Sequence, residues 1–383
     1  MSDAEPPVFA HLTAPGRGGI AVIRCVGSAV AEAMQACFRP AACDGSLPAV
    51  GRLAYGHVLA AAGEVLDEVI LHRAGPQVFE VNCHGGPVAV GAVCDRLAAL
   101  GLVRVEPDAL LVAEGARPIE REGRRLLRAV PTERAARVLL DQLGGALGQA
   151  VAEVRDALAV GRPAEAVARL DALLDGWRTC GRWLADPPRV AIAGRPNVGK
   201  STLLNRLAGY DRAITAATAG TTRDYVEAVA AFDGLPVLLV DTAGLREAEE
   251  AVEREGVTRA REQAAGADLV VYLLDGGEGA AAQDVATLAC LGNRALAVWN
   301  KADLAPGPLG PPAALAVSAL AGDGLDALRH QVLERLDYRA PAPGTAALFT
   351  DGQEAAFCHV HRLVVDGRCA EADRRLAALL GGT

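Results

Sequence analysis

Lysine is almost absent from this chain of 383 residues. Of its 38 basic residues, only Lys200 and Lys301 are lysines, and the other 36 are arginines. Positive charge is also in deficit, because the net charge is −9. This excludes a protein that coats nucleic acid through charge alone, although a local basic patch is still allowed. A retained lysine therefore marks a position where the planar guanidinium of arginine cannot replace a compact ammonium.

Aromatic residues make up only 4% of the chain, and long apolar runs are missing. No window approaches the ~18 consecutive apolar residues of a membrane helix. The first residues, MSDAEPPVFA, lack the basic segment of a signal peptide. Nine cysteines occur without a CxxC pair, which indicates free thiols in a reducing compartment. We therefore expect a soluble cytoplasmic protein with no membrane partner.

Three zones differ in composition. Residues 7–118 alternate short apolar runs with Gly and Pro, which is typical of an α+β domain with many turns. Residues 132–184 carry apolar positions at helical spacing, which predicts two amphipathic helices with a break near Gly161–Pro163. Residues 189–336 alternate β-rich runs with helical patterns, which predicts a mostly parallel sheet.

Two further signals complete the outline. Asp233–Gly234 lies between two β-rich runs and predicts a hairpin. After Pro341 and Pro343, a last helical stretch runs to Thr383. It is too short to form a domain alone, so we expect it to pack on the middle helices.

The strongest motif is AGRPNVGKST, Ala193–Thr202, which fits G-x-x-x-x-G-K-[ST] between a predicted strand and a predicted helix. Such a loop holds phosphates on its backbone N–H groups. Lys200 would neutralise the β- and γ-phosphates, and Ser201 would bind Mg²⁺. An isolated match could be a chance loop, but this context argues against that. The expected phosphate-binding residues are Asn197, Val198, Gly199, Lys200, Ser201 and Thr202.

DTAG, residues 241–244, directly follows the apolar run VLLV. Asp241 could hold Mg²⁺ through water, and the Gly244 N–H could contact a γ-phosphate, with Thr242 and Ala243 between them. Alone, such a segment is often only a turn. Its place one hairpin after the phosphate loop favours the nucleotide interpretation.

WNKADL, Trp299–Leu304, contains the second lysine. NKxD after a buried strand is typical of guanine recognition, in which Asp303 accepts hydrogen bonds from the base and thereby rejects adenine. Asn300 could contact the base edge and tether the phosphate loop, and the stem of Lys301 would lie over the base. A solvated surface lysine is the alternative, but this chain fills such positions with arginine. The SAL segment (Ser318, Ala319, Leu320) fits the loop whose backbone contacts guanine O6.

Between the glycine-rich motif Ala193–Thr202 and DTAG lies AATAGTTRD, residues 216–224. Thr222 is the candidate Mg²⁺ ligand of the first switch loop. Thr221 and Thr222 could equally be ordinary loop hydroxyls.

The segments GRPNVGKST, AGTTRD, DTAGLRE and NKAD together resemble the MnmE (TrmE) family of tRNA-modification GTPases, as do APGRGGIAVIR and CHGGPVAV near the start. The resemblance implies an α/β protein in which a P-loop GTPase domain is inserted in a helical domain. The implied segments are an N-terminal α+β folate and dimerisation domain (1–118), a first helical segment (119–187), the G domain (188–338) and a second helical segment (339–383).

The resemblance also implies a GTPase that uses K⁺, because Leu245 replaces the glutamine familiar from Ras. Asn197 matches the K⁺-coordinating asparagine of the phosphate loop, and Glu253 falls at the catalytic glutamate. A solvated carboxylate among neighbouring glutamates is the alternative for Glu253. The remaining K⁺ positions implied by the resemblance are Ala216, Thr218 and Thr221.

Beyond hydrolysis of GTP to GDP, the resemblance implies modification of a tRNA wobble uridine. The implied partners are a second copy of the chain, an FAD-containing protein and tRNA. A tetrahydrofolate derivative would bind the N-terminal domain, where Arg24 and Glu80 match two folate positions.

Two departures from the family pattern motivate an alternative. The folate-contacting lysine has no counterpart, because no lysine precedes Lys200, and the chain stops at LLGGT short of a C-x-G-K tail. A divergent paralogue, working as a GTP-regulated binding module, is therefore kept open. A ribosome-assembly GTPase is a weaker third interpretation. A metal site at Cys358, His359, His361 and Cys369 is weighed against ordinary helix residues, which fit their spacing better.

Overall fold

The computed structural model describes residues 6–14, 16, 18–41, 46–209, 227–241, 266–304 and 315–381. The chain divides into two compact units, Met1–Arg121 and Glu122–Thr383. Helix α4, Pro118–Leu127, contains the point of division.

The described strands of the first unit form a seven-stranded sheet in the order β3-β4-β5-β6-β2-β1-β7. Its pairs are antiparallel except β1 with β7. The strands are β1 Val8–His11, β2 Ile20–Val26, β3 Phe38–Pro40, β4 Leu53–Leu59, β5 Val65–Gly75, β6 Val78–His84 and β7 Val103–Arg104. The helices are α1 Val30–Cys37, α2 Pro87–Ala99 and α3 Pro107–Ala113. The α+β prediction for this region is confirmed.

Alternation along β2 and β6 creates one buried and one open sheet face. In β2, Ile23 and Cys25 are fully buried, whereas Arg24 between them is only partly buried. Phe79 and Val81 of β6 join the same core. Arg24 and Glu80 therefore share the face opposite this core, because successive side chains of a strand point to opposite sides.

The second unit contains a six-stranded sheet in the order β13-β12-β11-β8-β10-β9. All of its pairs are parallel except β9 with β10. The strands are β8 Arg189–Gly194, β9 Glu227–Phe232, β10 Leu235–Asp241, β11 Leu269–Asp275, β12 Ala295–Asn300 and β13 Leu315–Ala316. Every residue of β11 is buried, as expected of a central parallel strand covered on both faces. The predicted mostly parallel sheet is confirmed.

The predicted hairpin at Asp233–Gly234 is also confirmed. Phe232 pairs with Leu235, so the turn has two residues. Both have positive φ, 49° and 76°, which suits the right-handed twist of the strands. Helices α8 Lys200–Gly209, α9 Ala282–Leu291 and α10 Leu325–Arg335 accompany this sheet.

The break predicted near Gly161–Pro163 is confirmed, because one helix ends at Ala159 and the next begins at Pro163, but the prediction of only two helices is wrong. Three helices occur there: α5 Glu133–Leu143, α6 Ala146–Ala159 and α7 Pro163–Thr179. The missed break is at Gly144 and Gly145, where Gly145 has φ 107°. Apolar spacing continues across this turn through Leu143 and Leu147, so periodicity does not reveal it.

The last helical stretch is likewise two helices, α11 Asp351–Val365 and α12 Cys369–Leu379, separated at Gly367 with φ 77°. Helix α11 packs on α7 and α12 packs on α6, which confirms the expected packing. An ion pair joins Arg155 Nε to Asp373 Oδ1 at 2.6 Å. Thr132 and Thr350 cap α5 and α11 by accepting from backbone N–H groups.

Two chain segments connect the helices to the sheet of the second unit, and they lie side by side. The Arg339 N–H donates to the Thr179 carbonyl at 2.8 Å. The rings of Trp183 and Tyr338 are 6.4 Å apart between centroids. Gly181 lies against the Leu348 carbonyl so closely that a Cβ would clash with it. We call these segments, 179–188 and 337–349, the paired linkers.

Candidate nucleotide-binding site

The predicted site segments converge at one edge of the six-stranded sheet. A glycine-rich loop, residues 194–199 (the phosphate loop), begins at the end of β8 and leads into α8. The NKAD segment begins at the end of β12, and the SAL segment follows β13. The carboxyl ends of parallel strands meet at the same edge, so these segments are neighbours.

The phosphate loop requires its glycines. Gly194 and Gly199 have φ of 142° and 98°, and Asn197 has φ 63°. A Cβ on Gly194 would lie 2.6 Å from the Leu273 carbonyl oxygen, and one on Gly199 would clash with the Asn300 amide nitrogen. These positions therefore exclude any larger residue.

Lys200 is the first residue of α8, and its side chain folds back against the phosphate loop. Its Nζ donates to the carbonyl oxygens of Gly194 at 3.0 Å and Arg195 at 2.8 Å. Ser201 and Thr202 follow in the first turn of α8, and Val198 is buried. The ammonium and the start of the helix therefore bring positive charge to the same place, which favours an anion.

Asn300 connects two of the segments. Its Nδ2 donates to the Val198 carbonyl at 2.8 Å, and its Oδ1 accepts from the Ala319 N–H at 3.0 Å. The side chain is 2% exposed, so these hydrogen bonds are shielded from water. Asn300 therefore holds the phosphate loop and the SAL segment in fixed relation.

Lys301 has φ 63°, and its Nζ lies 2.7 Å from Asp275 Oδ2 at the end of β11. Burial raises the pKa of Asp275, but hydrogen bonds from Lys301 and from the Gly277 and Glu278 N–H groups outweigh it and lower the pKa overall. Asp275 is therefore ionised at neutral pH and fixes the Lys301 side chain. Asp303, two residues on, is exposed.

The SAL segment forms a tight turn beside Asn300. Ser318 is buried, and its Oγ accepts from the Ala321 N–H at 2.9 Å. Leu320 is 73% exposed, and its carbonyl accepts from Arg206 of α8 at 2.8 Å. The backbone at the tip of this turn is thus held by α8.

Several predicted site residues lie outside the residues that the structure describes. Asp241 is the last residue of β10, and only its backbone is described. The others are Ala216, Thr218, Thr221, Thr222, Thr242, Ala243, Gly244 and Glu253.

The first unit places Arg24 and Glu80 opposite each other on β2 and β6, with Arg24 Nη1 2.7 Å from Glu80 Oε1. His72 of β5 lies 2.8 Å from the other Glu80 oxygen, and Glu114 pairs with Arg24 Nε. Burial raises the pKa of Glu80, but hydrogen bonds from His72 and Arg24 outweigh it and lower the pKa overall.

Sequence reasoning missed Asp275, His72 and Glu114. Asp275 carries a weak signal, as a charged residue directly after the apolar run LVVYLL. His72 and Glu114 carry none, because only strand register and the position of α3 bring them to Arg24.

Two family models match the chain. A model described as "GTP-binding protein TrmE N-terminus" matches residues 7–110, and one described as "50S ribosome-binding GTPase" matches residues 189–301. The tRNA modification GTPase MnmE of Parasynechococcus marenigrum is 38% identical over 85% of this chain and 80% of that protein. The MnmE of Neisseria meningitidis serogroup C is 33% identical over 100% of this chain and 91% of that protein.

The chain belongs to the MnmE family of tRNA modification GTPases.

As an MnmE-family member it is a GTP-binding GTPase, and the resemblance predicted from the sequence is confirmed. This assignment does not support the ribosome-assembly alternative. Among solved structures, the G domain of the T. maritima FeoB iron transporter is 26% identical, covering 39% of this chain and 98% of that chain with a TM-score of 0.30.

Membrane-spanning helices and metal-binding clusters are both absent from the described residues. None of the helices there is both long and apolar enough to cross a membrane. Within the same ranges, no group of three or more His, Cys, Asp or Glu side chains is placed to hold a metal ion. Cys358 Sγ lies 3.2 Å from Glu354, and His361 Nε2 lies 3.1 Å from Asp171.

Proposed function

We propose that this protein hydrolyses GTP with K⁺ stimulation as part of the modification of tRNA wobble uridine. The observation that carries the proposal is similarity to MnmE relatives over 85–100% of the chain, together with the TrmE N-terminal model that matches residues 7–110. Asn300 supports it, because one buried side chain braces the phosphate loop against the SAL segment.

In the proposed complex, the phosphates of GTP lie on the backbone of the phosphate loop and on Lys200. Two carbonyls of the phosphate loop hold the Lys200 ammonium beside this backbone, which suits a contact with the β- and γ-phosphates. Asp303 accepts from the N1–H and 2-amino group of guanine. Adenine lacks these donors and would leave the carboxylate unpaired.

The groups proposed for metal binding are oxygen donors, which suit hard cations. The Ser201 and Thr222 hydroxyls would bind Mg²⁺, and Asp241 would hold it through water. Asn197, Thr221 and the backbone carbonyls of Ala216 and Thr218 would bind K⁺. Of these, Asn197 is exposed in the phosphate loop and Ser201 is exposed in the first turn of α8, so both are accessible to an ion. When bound, the two ions neutralise charge on the phosphates.

Glu253 is the proposed catalytic residue, because Leu245 has no polar group to orient water. Its carboxylate accepts a hydrogen bond from the water that attacks the γ-phosphorus in line with the leaving GDP oxygen. Lys200 stabilises the charge that develops on the phosphate oxygens.

The first unit is proposed to hold the tetrahydrofolate derivative and to dimerise. Glu80, fixed by His72 and Arg24, suits the N–H donors of a pterin ring. Arg24 already pairs with two carboxylates, so it is less suited to the acidic tail of a folate. When bound, the tetrahydrofolate derivative would supply a one-carbon unit. The FAD-containing partner, tRNA, the cytoplasmic location and the four domain segments belong to the same proposal.

The hydrolysis mechanism is tested by measuring kcat for GTP in KCl and in NaCl at equal ionic strength. We expect faster turnover in KCl, and a loss on the order of 10²-fold in kcat for Glu253→Gln. Glu250→Gln, a neighbouring carboxylate, is the matched control and should retain turnover. Equal rates in the two salts would rule out the potassium mechanism, and equal rates for the two variants would rule out the role of Glu253.

The tRNA role is tested by analysing wobble uridine in tRNA from strains with and without this gene. Loss of the modification in the deletion strain supports the proposal. Intact modification together with a second MnmE-family gene in the same genome would favour the divergent paralogue. That alternative is motivated by the absence of any lysine before Lys200.

A further inference from the structure

Arg195, the second residue of the phosphate loop, reaches out of the loop to residues 275–284. These residues run from the end of β11 into the first turn of α9, and we call them the β11–α9 segment. Its Nε lies 3.0 Å from Asp284 Oδ2, and its Nη2 donates to the Gly279 carbonyl at 3.0 Å. Its Nη1 lies 3.3 Å from Glu278 Oε2. All three nitrogens of one guanidinium are therefore directed at this segment.

Asp284 is an unusually strong anchor because it is completely buried. Its Oδ1 accepts from the Tyr272 hydroxyl at 2.9 Å, and its Oδ2 accepts from the Ala281 N–H at 2.8 Å in addition to Arg195. A buried carboxylate is costly unless its partners are complete, and here they are. Removing the Arg195 guanidinium would therefore leave a buried carboxylate without its opposite charge.

The backbone of Arg195 connects this anchor to Lys200. The Arg195 carbonyl accepts from Lys200 Nζ at 2.8 Å, so one residue holds the lysine on one side and Asp284 on the other. The same β11–α9 segment also holds Lys301 through Asp275. Both lysines of the chain are thus positioned from residues 275–284.

We propose that Arg195 is a positioning residue, which by anchoring on Asp284 fixes the phosphate loop carbonyl that holds Lys200 and so sets the affinity for nucleotide phosphates. This inference rests on the proposed phosphate role of Lys200. Simple stabilisation of the fold is the competing explanation, because a buried ion pair often contributes only to folding.

The test is calorimetric titration of GDP into Arg195→Ala, Asp284→Asn and the double variant. Each single variant should weaken GDP binding about tenfold. The double variant should bind GDP no more weakly than the single variant with the larger loss, because both substitutions remove the same interaction. Tyr272→Phe removes one hydrogen bond and leaves the ion pair, so it should weaken GDP less than about threefold.

Two readouts separate positioning from folding. Arg195→Ala should keep its preference for GTP over XTP, because the base contacts are untouched, whereas a collapsed site would lose it. Arg335→Ala is the matched control: its Nη2 donates to the Asn293 and Ala295 carbonyls at the start of β12, far from the loop end of that strand. It should lower the melting temperature and leave GDP affinity unchanged.

Three outcomes would overturn the inference: wild-type GDP affinity in Arg195→Ala, additive losses in the double variant, or equal weakening by Arg335→Ala. Lys200→Ala separates this failure from that of the proposed function. If Lys200→Ala binds GDP as tightly as the wild type, the phosphate role itself fails. If it loses GDP while Arg195→Ala does not, only the positioning role fails.

Discussion

Lys301 combines a left-handed backbone with an ion pair to Asp275. Non-glycine residues rarely adopt positive φ, and such a conformation persists only where its surroundings fix it. Asn300 directly precedes Lys301, and its carbonyl accepts a hydrogen bond from the Gly276 N–H at 2.8 Å. The strained residue directly precedes the turn that carries Asp303, so the geometry suits base recognition.

Converting Asp303 to Asn should switch the preference from GTP toward XTP. The asparagine N–H groups would face the guanine N–H donors unfavourably, and would instead donate a hydrogen bond to the 2-oxygen of xanthine. Competition of both nucleotides for hydrolysis measures the switch. Unchanged GTP affinity in this variant would contradict the assignment of WNKADL as the base-recognition segment.

Gly199→Ala should abolish tight nucleotide binding while the protein remains folded. The added Cβ meets the Asn300 amide, and φ is 98°, so the Asn300–Val198 hydrogen bond must break. Titration of GDP checks the loss. Gly209→Ala, at the end of α8 with no atom within 4 Å of an added Cβ, is the control and should bind normally.

At the scale of the element, glycine conformation decides where the helices end. Gly145 precedes α6 with φ 107° and Gly367 separates α11 from α12, and neither interrupts the apolar spacing of the sequence. The six strands of the second unit were predictable, because each is a short apolar run bounded by turn residues. The break at Gly161–Pro163 was also predictable, because a proline marks it, but the breaks at Gly145 and Gly367 were not, since φ is not visible in the apolar spacing.

A matched pair of glycine substitutions tests this point. Gly176→Ala, inside α7, should stabilise the protein by about 0.5–1 kcal/mol, because alanine is the better helix former and open space surrounds its Cβ. Gly145→Ala also meets no atom, but should destabilise by about 1–2 kcal/mol through backbone strain alone. Thermal unfolding measures both, and shifts of the same sign would contradict the argument.

For the whole molecule, sequence reasoning found the segments of the site and missed what holds them. The motifs are contiguous, so Lys200 and Asn300 were recognisable from their neighbours in the chain. Asp275, which pairs with Lys301, and Asp284, which pairs with Arg195 of the phosphate loop, belong to neither motif. Only the order of the strands brings such distant residues together.

The described cysteines divide into buried and partly exposed groups. Burial raises the pKa of Cys37 and of Cys83 to about 11 each, and that of Cys180 to about 12. At pH 8 a thiol of pKa 11 is ionised in only about one molecule in a thousand, and the thiolate is the reactive form. These cysteines should react with a thiol reagent only after denaturation, so rapid modification of Cys83 in the native protein would contradict the structure.

The paired linkers have a mechanical consequence. A domain attached by one connecting segment can rotate about that segment. Attachment by two segments that are bonded to each other resists this rotation. The hydrogen bond from Arg339 to Thr179 and the contact of Trp183 with Tyr338 join the two paired linkers. We therefore expect the nucleotide-binding sheet to bend relative to the helices more easily than it twists.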